Sequence, residues 1–262
     1  MTRLTIDRLS GARANVAGVE VDNLTEGETL AVIDEIISRG QPGFMAVVNA
    51  AKIVEANRNA RLSQVLRKAD IITADGMSVV WASRLLGSPL KERVTGIDIF
   101  ERLVAHAARQ RLRVFFLGAR KESVGKMVAR FTAEHPGLIV AGYRDGYFAS
   151  ADSAGVAEQV RRSEADILFV AMGSPAQEFW IESHFAATGA RFALGVGGSF
   201  DHLSGLARRA PVWMQRAGLE WLYRLASDPR RLWRRYLIGN SLFLWLVLKQ
   251  GIRGQRPGAM SV

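Results

Sequence analysis

The sequence predicts an α/β fold, an open and mostly parallel sheet followed by a basic helical appendage at the C-terminus. Three observations lead to this prediction. Short apolar runs of four to six residues alternate with longer stretches of helical periodicity. Several of the runs end in glycine-bearing turns, and after about residue 206 the composition becomes basic and rich in tryptophan. Alternating β and α segments of this kind are typical of an α/β sheet.

The predicted strands are rich in β-branched and aromatic residues and lack polar alternation, as strands do when helices cover both faces of a sheet. They span residues 44–48, 70–73, 113–117, 138–141, 167–171 and 192–196. Helical stretches lie between them, for example at residues 122–134 and 174–187. Because ligands of such sheets bind beyond the carboxyl ends of the strands, we expect the functional site at the turns that follow the strands.

The C-terminal segment carries two predicted helices, at about residues 212–227 and 230–249, each preceded by a proline. The apolar stretch YLIGNSLFLWLVL has thirteen residues, whereas a membrane-spanning helix needs about 20. Arginine mixed with Trp and Leu just before it predicts a helix that lies in the membrane interface. The alternative is an ordinary docking helix that packs its apolar face on the body. The boundary divides residues 1–206 from residues 207–262.

Most of the net charge lies in this C-terminal segment. The chain carries +10. Residues 206–262 contain eleven Arg and Lys against two acidic residues, a balance of 11 − 2 = +9, so the rest carries about +1. Such a tail favours an anionic partner, whether lipid headgroups, a phosphate-bearing substrate or nucleic acid.

The expected compartment is the cytoplasm. The chain has no cysteine, which excludes disulfides and thiolate metal sites. The first 18 residues contain no apolar run, so we expect no signal peptide.

Asp75 is the first candidate for chemistry. It follows the apolar pair Ile71-Ile72 and precedes Gly76. A carboxylate at the end of a strand is well placed to act as a general base on a substrate hydroxyl. The alternative is that Asp75 only caps the helix beginning near Met77.

Two glycine-bearing turns are weaker candidates. Gly173 opens the turn Gly-Ser-Pro, whose backbone N–H groups could meet an anion, and Gln177 one turn later could bond a sugar hydroxyl. Gly195, Gly197 and Gly198 follow the last run, with Asp201 nearby for ribose hydroxyls. Each turn could equally be structural. The dinucleotide and phosphate-loop glycine patterns are both absent.

No cofactor is expected. The four histidines are scattered, and the chain has no Asp-x-Asp pair. Neither pattern has the spacing of a metal site, so we expect chemistry without a metal ion.

Six segments, taken together and in this order, resemble the WecG/TagA/CpsF family of bacterial glycosyltransferases, glycosyltransferase family 26. They are VVNAAKIVEANRN, ADIITADGMSVVWASRLLG, ERVTGIDIFERL, VFFLGA, ADILFVAMGSPAQEFWI and GVGGSFDHLSG, followed by a basic, Trp-rich extension. The resemblance covers roughly residues 17–250. It implies a Rossmann-like α/β core with a distinctive C-terminal appendage.

The resemblance also implies roles for single residues. Asp75 matches the family's catalytic base. Val47 stands where some members have Thr. The residues that match substrate-binding positions are Asn49, Arg93, Gln177, Arg224, Arg231 and Arg234. The last three are implied to contact the diphosphate of the acceptor. Positions expected near the nucleotide are Gly118, Gly142, Tyr143, Gly173, Gly198 and Asp201.

The function implied by the resemblance is transfer of a sugar, with inversion and without a metal, from a UDP-sugar to an undecaprenyl-diphosphate-linked saccharide. The implied setting is the inner face of the bacterial plasma membrane, with peripheral membrane binding and self-association of the core. The sugar could be glucose, N-acetylmannosamine or the uronic acid of N-acetylmannosamine. The product could be exopolysaccharide, teichoic acid or enterobacterial-type antigen. The alternatives are a nucleic-acid-binding protein, a non-catalytic α/β interaction module and a nucleotide-sugar epimerase.

Overall fold

The structure is a computed structural model that describes residues 13–206, 210–211, 213–214, 218–233 and 237–254. Its centre is a parallel sheet of six strands in the order β4-β3-β8-β7-β5-β6. The strands are β3 (Gly43–Val48), β4 (Ile71–Ala74), β5 (Arg113–Gly118), β6 (Ile139–Arg144), β7 (Ile167–Ala171) and β8 (Phe192–Gly195). All six predicted strands are confirmed, with ends shifted by no more than three residues.

The sheet is covered on both faces, as the unbroken apolar runs predicted. Successive residues of a strand point to opposite faces, so Phe116 and Phe169 join one core cluster while Phe115 and Leu168 join another. A third cluster contains Ala46 and Ile72, on the face opposite Met45 and Ile71. The molecule therefore has three layers, with helices on either side of the sheet.

The helices of the core lie between successive strands, except the last one, which follows β8. They are α1 (Glu26–Arg39), α2 (Ala50–Arg58), α3 (Ala60–Lys68), α4 (Met77–Leu85), α5 (Gly96–Gln110), α6 (Lys121–Glu134), α7 (Ser153–Arg162), α8 (Ala176–Thr188) and α9 (Ser199–Leu203). Several of them begin at a residue whose side chain caps the helix. Thr25 forms a capping box with Glu28, and Asn49 and Asn59 each accept a hydrogen bond from the first turn of the helix they precede.

A short antiparallel hairpin precedes the core and was not predicted. It consists of β1 (Ala14–Val16) and β2 (Val19–Val21). Strands of three residues are too short to show periodicity. Buried Asp22 ties the hairpin to the sheet, since its carboxylate accepts from the Ile72 amide at 2.7 Å and pairs with Arg13 at 2.6 Å.

The described part of the C-terminal segment contains helices, but their bounds differ from those of the two predicted helices. The described helices are α10 (Glu220–Ser227), α11 (Pro229–Trp233) and α12 (Gly239–Gly254). The predicted helix at residues 230–249 therefore spans two helices, and residues 234–236 between them lie outside the description. None of the helices in the described ranges combines the length and apolar character needed to cross a membrane.

Helix α12 packs against the core. Phe243 and Val247 are buried in the cluster formed by the hairpin and helices α2 to α4. Gln250 binds the hairpin, accepting from the Ala17 amide at 2.6 Å and donating to the Asn15 carbonyl at 2.9 Å. The docking interpretation of this helix is thus correct for one of its faces.

Candidate active site

Two neighbouring cavities open at the carboxyl edge of the sheet. The first, called here the polar cleft, has a volume of about 690 Å³ and is bordered by the turns after β3, β4, β7 and β8. Its polar lining residues include Asn49, Lys52, Asp75, Ser174, Gln177, Ser199 and His202. The second, called the apolar pocket, has a volume of about 400 Å³ and lies between α4, α10 and α12. Its apolar lining residues include Met77, Trp81, Leu85, Trp221, Phe243, Leu244 and Val247.

Asp75 lies where the two cavities meet, since it lines both. Its backbone N–H donates to the Val48 carbonyl at 2.8 Å, which fixes the turn after β4 beside the end of β3. Its Oδ1 accepts from the Gly96 amide at 3.2 Å, at the start of α5. Helix α4 begins after Gly76 and has no side-chain cap. Asp75 therefore does not cap the helix that follows it, and one hydrogen bond orients its partly exposed carboxylate.

Asn49 also borders both cavities. It is the N-cap of α2, and its Oδ1 accepts from the Lys52 amide at 3.1 Å. The cap thereby fixes the orientation of the carboxamide, and Nδ2 is the group that can serve a ligand. Val47, two residues earlier in β3, lies within 3.2 Å of the position a side-chain carbon at Gly96 would take. Val47 thus packs against the start of α5.

The turns after β7 and β8 are joined by Gln177. The backbone N–H of Gln177 donates to the Gly173 carbonyl at 2.9 Å. The side-chain Oε1 of Gln177 accepts from the backbone N–H of Gly197 at 2.9 Å. The carboxamide lies so close to Gly195 that a β-carbon there would be 2.6 Å from Nε2. Glycine at 195 therefore allows the two turns to meet. Gly173, Gly197 and Gly198 all line the polar cleft.

A buried ion pair lies beside these turns. Lys52 Nζ and Glu178 Oε1 are 2.7 Å apart, and the two side chains are only 6% and 4% exposed. Burial by itself raises the pKa of Glu178, but the charge of Lys52, with hydrogen bonds from Lys52 and Gln177, outweighs it and holds the pKa below the usual value. Glu178 is therefore ionised at neutral pH. Neither residue was identified as a candidate from the sequence.

The apolar pocket also has charged lining residues, namely Asp75, Arg93 and Glu220. Arg93 lines it together with Asp75 and Thr95. The Arg93 guanidinium lies 3.4 Å from the carboxylate of Glu220 in α10, and both side chains are largely buried. This contact links the turn before α5 to the C-terminal helices.

The structure brings together part of the predicted site. Asp75, Asn49, Gln177, Gly173 and Gly198 border the polar cleft, and Arg93 borders the apolar pocket. The cavity linings do not include Gly118, Gly142, Tyr143 or Asp201. The side chains of Arg224 and Arg231, and all of Arg234, lie outside the described residues, so their roles stay predictions.

Gly118 and Gly142 have structural explanations. Gly118 has φ +135°, and a β-carbon there would lie 2.3 Å from the Ala171 carbonyl oxygen. A β-carbon at Gly142 would lie 2.7 Å from the ring of Phe115. Gly118 therefore allows β5 and β7 to lie close together, and Gly142 leaves room for the Phe115 side chain between β6 and β5.

Two sequence signals could have found the missed residues. Lys52 comes three positions after Asn49, which places it in the first turn of α2 facing the strand ends. Glu178 directly follows Gln177.

Within the described ranges, no three His, Asp or Glu residues lie close enough together to hold a metal ion.

Comparison with known proteins finds one matching family and several similar chains. Residues 14–257 match the family described as Glycosyl transferase WecG/TagA/CpsF family. Two relatives carry the name N-acetylglucosaminyldiphosphoundecaprenol N-acetyl-beta-D-mannosaminyltransferase. The protein from Bacillus spizizenii is 40% identical over 221 residues, which cover 84% of each chain. The protein from Bacillus subtilis is 38% identical over 193 residues, or 74% of each chain.

Proposed function

The chain belongs to the WecG/TagA/CpsF family of glycosyl transferases, and on that premise we propose that it joins a UDP-activated sugar to an undecaprenyl-diphosphate-linked saccharide. One observation carries the proposal. A strand-end carboxylate, Asp75, stands at the boundary between a polar, glycine-walled cleft and an apolar pocket. A transferase that joins a water-soluble donor to a lipid-linked acceptor needs this arrangement, because the reacting atoms must meet between two chemically different sites.

The polar cleft is the proposed donor site. Its backbone N–H groups at the β7 and β8 turns and the Lys52 ammonium can bind the diphosphate of a nucleotide sugar. Charge that develops on the departing UDP would be stabilised by these groups without a metal ion. The names of the two relatives suggest N-acetylmannosamine as the sugar and a GlcNAc-diphosphoundecaprenol acceptor.

The apolar pocket is the proposed acceptor site. Arg93 lines this pocket together with Asp75, and a guanidinium there can bind the acceptor diphosphate in a bidentate manner. The aromatic and aliphatic residues beyond it suit the first isoprene units of the lipid. Arg224, Arg231 and Arg234 belong to the same proposal, as further ligands of the diphosphate from the appendage.

The proposed chemistry is a single displacement. An acceptor hydroxyl attacks the anomeric carbon of the donor as its proton passes to the Asp75 carboxylate. The new bond joins the acceptor oxygen to that carbon, and the bond between the carbon and the UDP oxygen breaks with its electron pair leaving on UDP. Attack from the side opposite UDP inverts the configuration at that carbon.

Membrane binding is proposed for the outer face of the C-terminal helices and the adjoining rim of the apolar pocket. Trp81, Leu85 and Leu244 line the pocket and are also at least half exposed. Trp245, Leu248 and Ile252 continue this exposed apolar surface along α12. Together with the basic charge of residues 207–262, this surface suits peripheral binding to the anionic inner face of the plasma membrane.

The experiment that tests the proposal is a transfer assay with a panel of radiolabelled UDP-sugars and a synthetic GlcNAc-diphosphoprenol acceptor, with and without a chelator. We expect one sugar, N-acetylmannosamine, to be transferred with and without the chelator. Transfer only after Mg²⁺ or Mn²⁺ is restored would contradict the metal-free chemistry. Absence of transfer from every donor would contradict the proposed reaction.

A further inference from the structure

The buried ion pair of Lys52 and Glu178 needs an explanation beyond stability. Its two side chains are 6% and 4% exposed, and removing charges from water costs about as much as their attraction returns. Apolar residues of similar volume often replace such a pair with no loss of stability. The ion pair should therefore be understood from what the carboxylate holds in place.

The carboxylate holds Gln177. Gln177 Nε2 donates to Glu178 Oε1 at 2.9 Å, and Gln177 Oε1 accepts from the Gly197 amide at 2.9 Å. Glu178 can only accept because it is ionised, and the Gly197 N–H can only donate. One orientation of the Gln177 carboxamide satisfies both partners, and the flipped orientation satisfies neither.

Gln177 in turn holds a wall of the polar cleft. Its carboxamide packs directly on Gly195 and bonds Gly197 two residues later. Gly197 adopts a left-handed φ of +56°. The run from Gly195 to Gly198 lines the cleft. A flipped carboxamide would set its N–H groups against the Gly197 N–H and release this turn.

We propose that Glu178 is a positioning residue of the donor site, which acts through Gln177 to fix the turn at Gly197 and Gly198 where the donor diphosphate binds. Lys52 keeps the Glu178 carboxylate in place from the other side. The identity of the ligand rests on the proposed function, whereas the fixed turn does not.

The test compares two double variants that differ only in the side chain that replaces Glu178. Lys52→Met/Glu178→Leu, called here the leucine variant, removes both charges and the acceptor for Gln177. Lys52→Met/Glu178→Gln, called the glutamine variant, also removes both charges but keeps an acceptor oxygen in a side chain of the same shape. Because both variants lose Lys52, any direct contact of Lys52 with a ligand cancels in the comparison. The matched control is Lys68→Met/Glu182→Leu, which removes a more exposed ion pair between the end of α3 and Glu182, one turn after Glu178 in α8.

Two quantities are measured on each full-length protein. The first is hydrogen exchange at the Gly197 amide without ligand. The second is the dissociation constant of UDP by calorimetry. We expect the leucine variant to exchange Gly197 faster and to bind UDP about fivefold more weakly than the glutamine variant, which corresponds to the roughly 1 kcal/mol of one hydrogen bond. The surface control should match wild type in both.

Equal exchange at Gly197 in the two double variants would overturn the proposal, and so would equal UDP affinity. If wild type binds no UDP, the proposed donor is wrong, and the exchange comparison alone decides whether Glu178 fixes the turn. If neither double variant folds, the substitution Gln177→Leu is measured instead, because it leaves the ion pair intact. It is expected to accelerate hydrogen exchange at the Gly197 amide, and unchanged exchange would contradict the proposal.

Discussion

At the scale of the residue, the position of Asp75 follows from two backbone contacts rather than from its own helix. The end of β3 holds its amide, and the start of α5 donates to its carboxylate. A carboxylate at a strand end was visible in the sequence, but its place between two cavities was not. The cavities come from the turn after β3 and from helices far along the chain.

Pairs distant in sequence explain what sequence reasoning missed. Lys52 and Glu178 are 126 positions apart, and no local pattern joins them. Gly118 raises a different question, because it has a structural explanation while its nucleotide-site role stays a prediction. A glycine after a strand suits both ligand binding and close packing of strands, and the sequence cannot separate the two uses.

Gly118→Ala tests these two uses. The new methyl group would meet the Ala171 carbonyl at 2.3 Å in a backbone conformation unsuited to Ala. We expect a loss of roughly 2–5 kcal/mol in the free energy of unfolding, measured by denaturant titration. Gly125→Ala in α6, where a β-carbon meets nothing within 4 Å, is the control and should not destabilise. Unchanged stability with lost UDP binding would favour the nucleotide-site prediction for Gly118.

Arg93→Met tests the acceptor half of the site. Arg93 lines the apolar pocket, and charged hydrogen bonds contribute about 1.5–3 kcal/mol each. We therefore expect the KM for the lipid acceptor to rise about tenfold or more, with UDP affinity unchanged. Steady-state kinetics and calorimetry measure the two quantities. An effect on UDP affinity alone would contradict this and indicate that Arg93 binds the donor.

At the scale of the element, α12 confirms the docking interpretation on one face and leaves the other face exposed, where membrane binding stays a proposal. Phe243 and Val247 pack on the core, while Leu244, Trp245 and Leu248 are about half exposed. The composition of α12 predicted an apolar helix. When a helix is apolar on most sides, its sequence does not show which residues pack on the core. The strands were more predictable, since runs of four or five residues that are rich in β-formers and end near glycine-bearing turns are typical of covered parallel strands.

Trp245→Glu/Leu248→Glu separates the two faces of α12. Both residues are exposed, so we expect a change in the free energy of unfolding within about 0.5 kcal/mol but a marked loss of binding to anionic vesicles, measured by co-sedimentation. Phe243→Ala, on the buried face, should instead destabilise the protein by about 3 kcal/mol. Vesicle binding that survives the double substitution would exclude this face as the membrane contact.

At the scale of the whole molecule, charge and apolar surface are gathered on the C-terminal side of the chain. The body is nearly neutral, and residues 206–262 carry +9 of the total +10. We therefore expect binding to anionic vesicles to weaken steeply between about 0.01 M and 1 M salt, as the screening length falls from about 30 Å to 3 Å. Binding to neutral vesicles should be weak at every salt concentration. Salt-independent binding would contradict an electrostatic contribution.

The central claim is that Asp75 removes a proton from the acceptor at the boundary between the two cavities. The most direct test is the transfer rate of Asp75→Asn, with donor and acceptor binding measured separately. Asn keeps the oxygen that accepts from Gly96, so the fold and both affinities should be preserved, while kcat should fall by about 10²–10⁴-fold. A variant that binds both substrates and turns over at the wild-type rate would contradict the claim.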